Sequence, residues 1–149
     1  MRKRIGLADP HKQANWFKKL RESRQMETAE DYVELIYDLI EMKGEARVTD
    51  LSQRFAVSHA TVNKVINRLR GEGLVVNERY RSIFLTEEGK ELALYCRKRH
   101  DLVVNFLEYI GVSSKTSEID AEGIEHHVSQ ETLDAFRAFI EKEQAKRKK

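Results

Sequence analysis

TDLSQRFAVSHATVNKVINRLRGEGLVVNERYRSIFLT, residues 49–86, is the stretch that decides the fold. Thr49 and Ser58 belong to the residue types that cap helix N-termini, and each precedes a segment with helical apolar spacing. In the second segment the apolar residues recur three and four positions apart, and Gly71 and Gly73 end the pattern. This apolar stripe consists of Val62, Val65, Ile66 and Leu69. The stretch therefore predicts two helices joined by a short turn, a helix-turn-helix.

A hairpin is predicted directly after the helix pair. Residues 74–76 and 83–85 are short apolar runs rich in strand-forming side chains, and the polar residues 77–82 separate them. The tip of the hairpin contains Arg79 and Arg81 and is basic. A hairpin in this position is the wing of a winged helix-turn-helix.

Further helices are predicted on both sides of this unit. Before it, apolar residues recur at helical steps over residues 32–40, and Gly44 can end that helix. After it, a long helix runs from Thr86 to about Ile110, where Gly111 interrupts. Two more amphipathic helices are predicted around residues 119–127 and 131–140. The fold class is mainly α, and the long helix can link two lobes.

Charge is distributed unevenly along the chain. Of the 149 residues 40% are hydrophobic and 35% charged, and the net charge is only +2. Residues 1–26 hold eight basic side chains against two acidic, and residues 142–149 five against one. Residues 27–45 and 111–141, by contrast, each hold seven acidic side chains. The basic segments point to a polyanionic partner, and the acidic ones to solvated helix faces or a cation site.

The chain is expected to be cytoplasmic. Its single cysteine, Cys96, cannot close an internal disulfide. No apolar run approaches the roughly 20 residues that cross a bilayer, so no contact with a membrane is expected.

The outer face of the second helix of the pair suits double-stranded DNA. Opposite the apolar stripe it presents short polar and cationic side chains that can meet base edges and phosphates. These candidate DNA contacts are Ser58, His59, Thr61, Asn63, Lys64, Asn67 and Arg68, with Arg79 and Arg81 on the wing. Each of them taken alone is equally typical of a solvated surface.

A second group of residues has the chemistry of a metal site. Glu122, Glu125 and His126 are spaced i, i+3 and i+4, which places two carboxylates and an imidazole on one helix face. Asp31 and Glu34 are three apart in the first helix, and His100 lies among apolar residues of the long helix. Oxygen ligands mixed with imidazole suit manganese or ferrous iron better than a thiolate-preferring metal.

The two acidic blocks strengthen this interpretation. Packing them together in one small protein without a cation would cost repulsion and desolvation. A metal between them removes the conflict. Cys96 stands four residues before His100 but is interpreted as a packing residue, and His127 as an outer neighbour of the site or unrelated to it.

From about Glu27 to Phe139 the chain resembles the manganese transport regulators, the manganese-responsive branch of the diphtheria-toxin-repressor family of metal-activated repressors. The matching residues are Asp31-Tyr32-Val33-Glu34, residues 44–51, Val62-Asn63-Lys64, residues 80–86, Arg99-His100 and, most specifically, residues 122–127, EGIEHH.

The resemblance implies a winged-helix homodimer that represses manganese uptake and homeostasis genes by binding operator DNA. It implies a binuclear Mn2+ site between the two lobes, with the ligands Asp31, Glu34, His100, Glu122, Glu125 and His126. Iron-responsive relatives typically have methionine where Asp31 stands and cysteine where Glu125 stands, so this chain follows the manganese pattern. Fe2+ and other divalent metals remain the alternative occupants, and no organic cofactor is expected.

The resulting division of the chain has four parts. Residues 1–26 are a basic N-terminal arm, which is disordered, packs on the partner subunit or follows the DNA backbone. Residues 27–95 are the winged helix-turn-helix domain, residues 96–141 the linker helix with the helical metal-binding and dimerisation domain, and residues 142–149 a basic tail. A shared metal would fix the orientation of the two lobes and so the spacing of two recognition helices.

Two other classes of protein compete with this hypothesis. Helical di-metal enzymes usually supply Glu-x-x-His from two helices, whereas this chain has one Glu-x-x-Glu-His and no positioned nucleophile, so no enzyme activity is expected. A metal-independent winged-helix regulator would bind DNA equally well after loss of Glu125.

Overall fold

The structure is a computed structural model of the single chain, and it describes residues 6–77 and 82–148. In chain order the elements are α1 (Pro10–Lys43), β1 (Ala46–Arg47), α2 (Val48–Phe55), α3 (His59–Gly71), β2 (Val75–Asn77), β3 (Ser82–Leu85), α4 (Glu87–Tyr109), α5 (Ser114–Ile124), a 3-10 turn (Glu125–His127) and α6 (Gln130–Arg147). The predicted mainly α fold with a winged helix-turn-helix is confirmed.

Helix α1 is longer than the apolar periodicity indicated. The Asp9 carboxylate caps it by accepting from the backbone N–H groups of His11 and Lys12, both at 3.1 Å, and Pro10 occupies the first turn. The helix ends at Gly44, whose φ of 82° is the left-handed conformation of a C-cap. From Pro10 onward, the segment that the sequence marks as a basic arm is the first part of α1.

The helix-turn-helix consists of α2 and α3. The predicted cap at Thr49 is wrong, because α2 begins two residues earlier, where the Asp50 carboxylate accepts from the backbone N–H of Arg47 at 3.1 Å. Ala56 makes the turn in a left-handed conformation with φ 53°, although no glycine is present. Ser58 caps α3 as predicted, by accepting from the backbone N–H of Thr61.

The wing belongs to a three-stranded antiparallel sheet with the order β1-β3-β2. The hairpin partners include Val76 and Phe84, while Ala46 of β1 pairs with Ile83. Strand β1 was not predicted, because two residues are too few to show a period. Arg79 and Arg81, the predicted wing contacts, lie outside the described residues.

Two hydrophobic clusters define two lobes, and α4 contributes to both. The first cluster joins α1, α2, α3, the sheet and Ala93. The second is built around Val103, Leu107 and Leu133, and next to it the rings of Phe106 and Phe136 stack with centroids 3.8 Å apart. Helix α4 therefore links the two lobes. Among the helices in the described ranges, none combines the length and apolar character needed to cross a bilayer.

Candidate metal centre and nucleic-acid interface

The six predicted metal ligands lie on four different elements that meet between the lobes. Asp31 and Glu34 are on α1, and His100 is on α4. Glu122 is in the last turn of α5, and Glu125 and His126 form the 3-10 turn that follows. Contacts of α1 and α4 with the 3-10 turn bring residues distant in sequence to one place.

Glu125 is at the centre of this group and is 1% exposed. Its Oε2 lies 2.9 Å from Nδ1 of His100, and its Oε1 lies 3.4 Å from Nε2 of His126. One buried carboxylate therefore faces both imidazoles.

Potential donors form two sets on either side of Glu125. His100, Glu122 and Glu125 offer ligand atoms that all lie within 4.8 Å of one another, and so do Glu27, Asp31 and His126. Nε2 of His126 is 3.0 Å from Oδ1 of Asp31, and Nδ1 of His100 is 3.7 Å from Oε1 of Glu122. The described residues thus offer two neighbouring groups of donors, and Glu125, a member of one group, also faces His126 of the other.

Glu34 belongs to neither set, but it lines the same open cleft as Asp31 and Glu122. Burial raises its pKa first, and the charges of Glu125 and Glu122 raise it further, to about 7. A cation near these carboxylates would relieve their repulsion. An open cleft of about 330 Å³, lined by Asp31, Glu34 and Glu122 among others, connects this point to solvent.

The prediction that Glu122, Glu125 and His126 share one α-helical face is wrong in its geometry. Helix α5 ends at Ile124, and Glu125–His127 tighten into a 3-10 turn. The tighter winding turns Glu125 and His126 inward, where each side chain is 1% exposed, while the side chain of Glu122 stays 67% exposed. The three residues still converge: Glu122 and Glu125 both approach His100, and His126 lies next to the other oxygen of Glu125.

The protonation equilibria of the buried ligands follow from their surroundings. Burial lowers the pKa of His126, but its contacts with Asp31 and Glu30 outweigh burial and raise the pKa to about 10. Burial raises the pKa of Glu125 to about 6, and the neighbouring imidazoles only partly offset this. Without a cation the centre therefore retains protons that a bound metal must displace.

Two buried polar atoms of the predicted ligands have no hydrogen-bond partner among the described residues. They are Oε1 of Glu125 and Nε2 of His126. Nε2 approaches Asp31 at 3.0 Å, but without the alignment of a hydrogen bond. Buried polar atoms are normally satisfied, and these two are a carboxylate oxygen and an imidazole nitrogen that point toward the same space. The residues present therefore fit a divalent cation with oxygen and nitrogen ligands.

Sequence reasoning missed several polar side chains of the centre. Glu30 and Arg99 are buried and hydrogen-bonded to each other, and Glu30 Oε2 lies 2.7 Å from Nδ1 of His126. Glu118 Oε2 lies 2.9 Å from Nε2 of His100. Glu118 precedes Glu122 by four residues, and Glu27 precedes Asp31 by four, so the helical spacing that identified the ligands could also have found these two.

Cys96 and His127 behave as the sequence suggested. Cys96 is buried and free, and burial raises its pKa to about 12, so the thiol stays protonated. His127 contacts Ser23 at 2.9 Å and Glu27 at 3.0 Å, away from Glu125.

The outer face of α3 exposes most of the predicted DNA contacts. His59, Asn63 and Lys64 are exposed and point away from the apolar stripe. Ser58 and Thr61 are also exposed but are engaged with each other at the helix start, their hydroxyl oxygens 3.0 Å apart.

In the last turns of α3 the predicted DNA contacts are engaged with other groups of the protein. Oδ1 of Asn67 accepts from Arg70 at 3.1 Å. Arg68 donates to the backbone carbonyl of Gln25 on α1 at 3.2 Å and lies 3.4 Å from Glu72. Arg68 is therefore tied to the start of the first lobe rather than free at the outer face.

Two family models match successive parts of the chain. Residues 25–83 match "Iron dependent repressor, N-terminal DNA binding domain", and residues 86–146 match "Iron dependent repressor, metal binding and dimerisation domain". The chain belongs to the iron-dependent repressor family. The resemblance to the diphtheria-toxin-repressor family is confirmed.

Relatives within this repressor family include transcriptional regulators from two bacteria. The chain is 48% identical over 140 residues to "Transcriptional regulator MntR" of Escherichia coli O157:H7, covering 94% of this chain and 90% of the relative. It is 39% identical over 112 residues to "HTH-type transcriptional regulator MntR" of Bacillus subtilis, covering 75% and 79%.

Solved structures of repressors share the fold. "Structure of the manganese regulator SloR" superimposes with a TM-score of 0.67 at 26% identity and covers 76% of this chain. "Manganese-dependent transcriptional repressor complex with manganese" does so with a TM-score of 0.67 at 29% identity and covers 75%. The chain spans about half the length of these solved chains, 53% and 52% respectively.

Proposed function

We propose that this chain is a manganese-responsive repressor that binds operator DNA as a homodimer and controls genes of manganese uptake and homeostasis. The observation that supports this best is the position of Glu125, buried between His100 and His126 with an unpartnered oxygen. Relatives of the chain are named as manganese regulators, and its ligand set of carboxylates and imidazoles suits that cation.

The proposed ligands for two Mn2+ ions are Asp31, Glu34, His100, Glu122, Glu125 and His126. Fe2+ is the alternative occupant. A bound cation would neutralise the carboxylates and replace the protons that Glu34, Glu125 and His126 retain.

The switch would work through the relative position of the lobes. Asp31 and Glu34 belong to α1, which packs in the first hydrophobic cluster. Glu122 belongs to α5 of the second cluster, and Glu125 and His126 follow that helix. Ligands from both lobes hold α1 against the 3-10 turn and so restrict the orientation of α3. In a dimer this restriction sets the spacing of two recognition helices and lowers the ordering cost of docking both in successive major grooves.

The proposed DNA surface consists of the exposed part of α3 and the wing. Its residues are Ser58, His59, Thr61, Asn63, Lys64, Asn67 and, at the edge, the half-buried Arg68, together with Arg79 and Arg81 on the wing. Lys64 is an exposed cation on the outer face of α3 and is assigned to phosphate, while Asn63 beside it has the amide chemistry that recognises base edges.

The two hydrophobic clusters support the division into a DNA-binding domain of residues 27–95 and a metal-binding and dimerisation domain of residues 96–141, with α4 in common. The role of the N-terminal arm and of the basic tail, residues 142–149, stays open at this point. A DNA-binding regulator acts in the cytoplasm of a bacterial cell, and that is the proposed location.

The test is DNA binding by chelator-treated protein. Genomic DNA fragments are selected on the protein with Mn2+ present, and their binding is then followed by fluorescence anisotropy without metal, with Mn2+ and, anaerobically, with Fe2+. Tight binding only with Mn2+ supports the proposal, and tight binding only with Fe2+ favours an iron repressor. Equal binding with and without metal would make the chain a metal-independent regulator.

The coupling between Mn2+ binding and DNA binding must act in both directions. If Mn2+ tightens DNA binding by some factor, DNA must tighten Mn2+ binding by the same factor. Measuring Mn2+ affinity with and without the selected DNA therefore checks the coupling independently. Metal-dependent turnover of a substrate, with no such coupling, would instead indicate a dinuclear enzyme.

A further inference from the structure

The two histidines of the centre present different ring nitrogens to Glu125. His100 turns Nδ1 toward it, at 2.9 Å, whereas His126 turns Nε2 toward it, at 3.4 Å from the other carboxylate oxygen. A neutral imidazole has one nitrogen with a proton and one with a free electron pair, and only the latter can bind a cation. For both rings to bind, they must adopt opposite tautomers.

Each far nitrogen has a carboxylate as its partner. Nε2 of His100 is 2.9 Å from Oε2 of Glu118, and Nδ1 of His126 is 2.7 Å from Oε2 of Glu30. Nδ1 of His100 also has a carboxylate partner, Oε2 of Glu125 at 2.9 Å, but Glu125 is a proposed cation ligand and Glu118 is not. When a cation is bound beside Glu125, the proton of each neutral ring therefore lies on the far nitrogen, which donates it to Glu118 or Glu30. The remaining nitrogen is then free in each ring, and it is the one that faces Glu125.

Arg99 fixes the carboxylate beside His126. It is buried, and its guanidinium donates to Oε2 of Glu30, the same oxygen that accepts from His126. The 3.1 Å approach of Arg99 Nη2 to Nδ1 of His126 follows because both donors share that one oxygen. A guanidinium has only donors, so this contact holds the Glu30 carboxylate in place as an acceptor.

We propose that Glu118 and Glu30 are positioning residues that hold His100 and His126 in opposite tautomers, so that Nδ1 of the first and Nε2 of the second bind the cations. This inference rests on the proposed function, because it assigns roles to residues around the proposed ligands. Hydrogen bonds of this kind from a ligand imidazole to a carboxylate orient the ring and raise its basicity, and losing one typically weakens metal binding about 10–100-fold.

Glu118 offers the cleaner test, because its side chain is 63% exposed and its loss leaves no buried group unpaired. Glu118→Ala removes the acceptor, and Glu118→Gln keeps an oxygen that can still accept from Nε2. Asp120→Ala is the matched control, since it removes an exposed acid from the same helix two residues away. Glu30→Gln serves at the other histidine, because alanine there would leave Arg99 buried without its partner.

Two measurements are made on each protein. Mn2+ affinity is taken from the electron paramagnetic resonance signal of the free ion. The bound ring nitrogen is identified from the scalar coupling between cadmium-113 and nitrogen-15 in protein with labelled histidine. The expected result for wild type is coupling at Nδ1 of His100 and Nε2 of His126. Glu118→Ala is expected to bind Mn2+ about tenfold more weakly and to lose the uniform Nδ1 coupling of His100, with both partly restored in Glu118→Gln.

Three outcomes would overturn the inference. They are coupling at Nε2 of His100 in wild type, an affinity and coupling of Glu118→Ala equal to those of wild type, and an equal loss in Asp120→Ala. These outcomes differ from failure of the proposed function, which would appear as wild-type protein that does not bind Mn2+ at all.

Discussion

Glu125→Gln is the substitution that most directly separates metal binding from folding. The side chain is 1% exposed and faces His100 and His126 through its two oxygens. Glutamine has the same shape, so the lobes can pack as before. The amide has no negative charge, however, and it replaces one bridging oxygen with an NH2 group that cannot bind a cation.

The magnitude follows from linkage between binding and folding. At a free Mn2+ concentration 100 times its Kd, binding stabilises the wild-type fold by about 2.7 kcal/mol, which raises Tm by about 5–10 °C for a chain of this size. Loss of a group outside the ligand set already weakens metal binding up to about 100-fold, so loss of a bridging ligand should do at least that. At the same Mn2+ concentration the variant would gain only about 0.4 kcal/mol and about 1–2 °C.

The assay is thermal unfolding followed by circular dichroism at pH 8, with chelator and with Mn2+. Burial disfavours the charged form of Glu125, whose pKa is about 6, so its neutral replacement should leave the metal-free Tm unchanged or slightly higher. Glu41→Gln, an exposed acid on α1, is the control and should keep the full wild-type shift. A Glu125→Gln protein with the wild-type Mn2+ shift would refute the bridging role, and a large fall in its metal-free Tm would show that Glu125 is mainly structural.

Three further predictions concern DNA, packing and pH. Lys64→Ala should weaken DNA binding and reduce the magnitude of the slope of log K against log salt by about 0.9, the value for loss of one phosphate contact. Lys90→Ala is the control and should leave that slope unchanged, because the ammonium of Lys90 pairs with Glu87. Gly89→Ala should lower the free energy of unfolding, measured by chemical denaturation, by about 1–3 kcal/mol or more, because the new Cβ would lie 2.1 Å from the backbone oxygen of Leu74. Gly71→Ala is the control and should not destabilise the fold, since the space around its Cβ is open. Equal effects of the two substitutions would contradict the packing at Gly89. The pKa values of Glu125, Glu34 and His126 are raised to about 6, 7 and 10, so the metal-free fold holds protons that the unfolded chain releases. The Tm of the metal-free protein should therefore fall as pH rises from 5 to 8, while Mn2+ affinity should rise. An opposite trend in either titration would exclude the environments assigned to these three groups.

Much of the fold follows from local sequence, because its elements are defined by short-range rules. Ser58, Thr86 and Gly44 lie at helix ends where capping chemistry predicts them, and the stripe of Val62, Ile66 and Leu69 is buried as its spacing indicates. The exceptions are also local in origin. The start of α2 was misplaced because the Asp50 carboxylate, not a hydroxyl, satisfies the free N–H there, and β1 is too short to have a period.

The candidate metal centre depends both on the local sequence and on the tertiary structure. The sequence by itself determined which residues have metal-binding chemistry, since carboxylates and imidazoles at helical spacing are visible without coordinates. Only the tertiary structure decided how they are used, because α1, α4 and the 3-10 turn are brought together by packing between segments about a hundred residues apart. That packing buried Glu125, placed Glu30 and Arg99 beside His126, and set which nitrogen each histidine turns toward Glu125. Such choices depend on distances across the fold, and no spacing rule along the chain contains them.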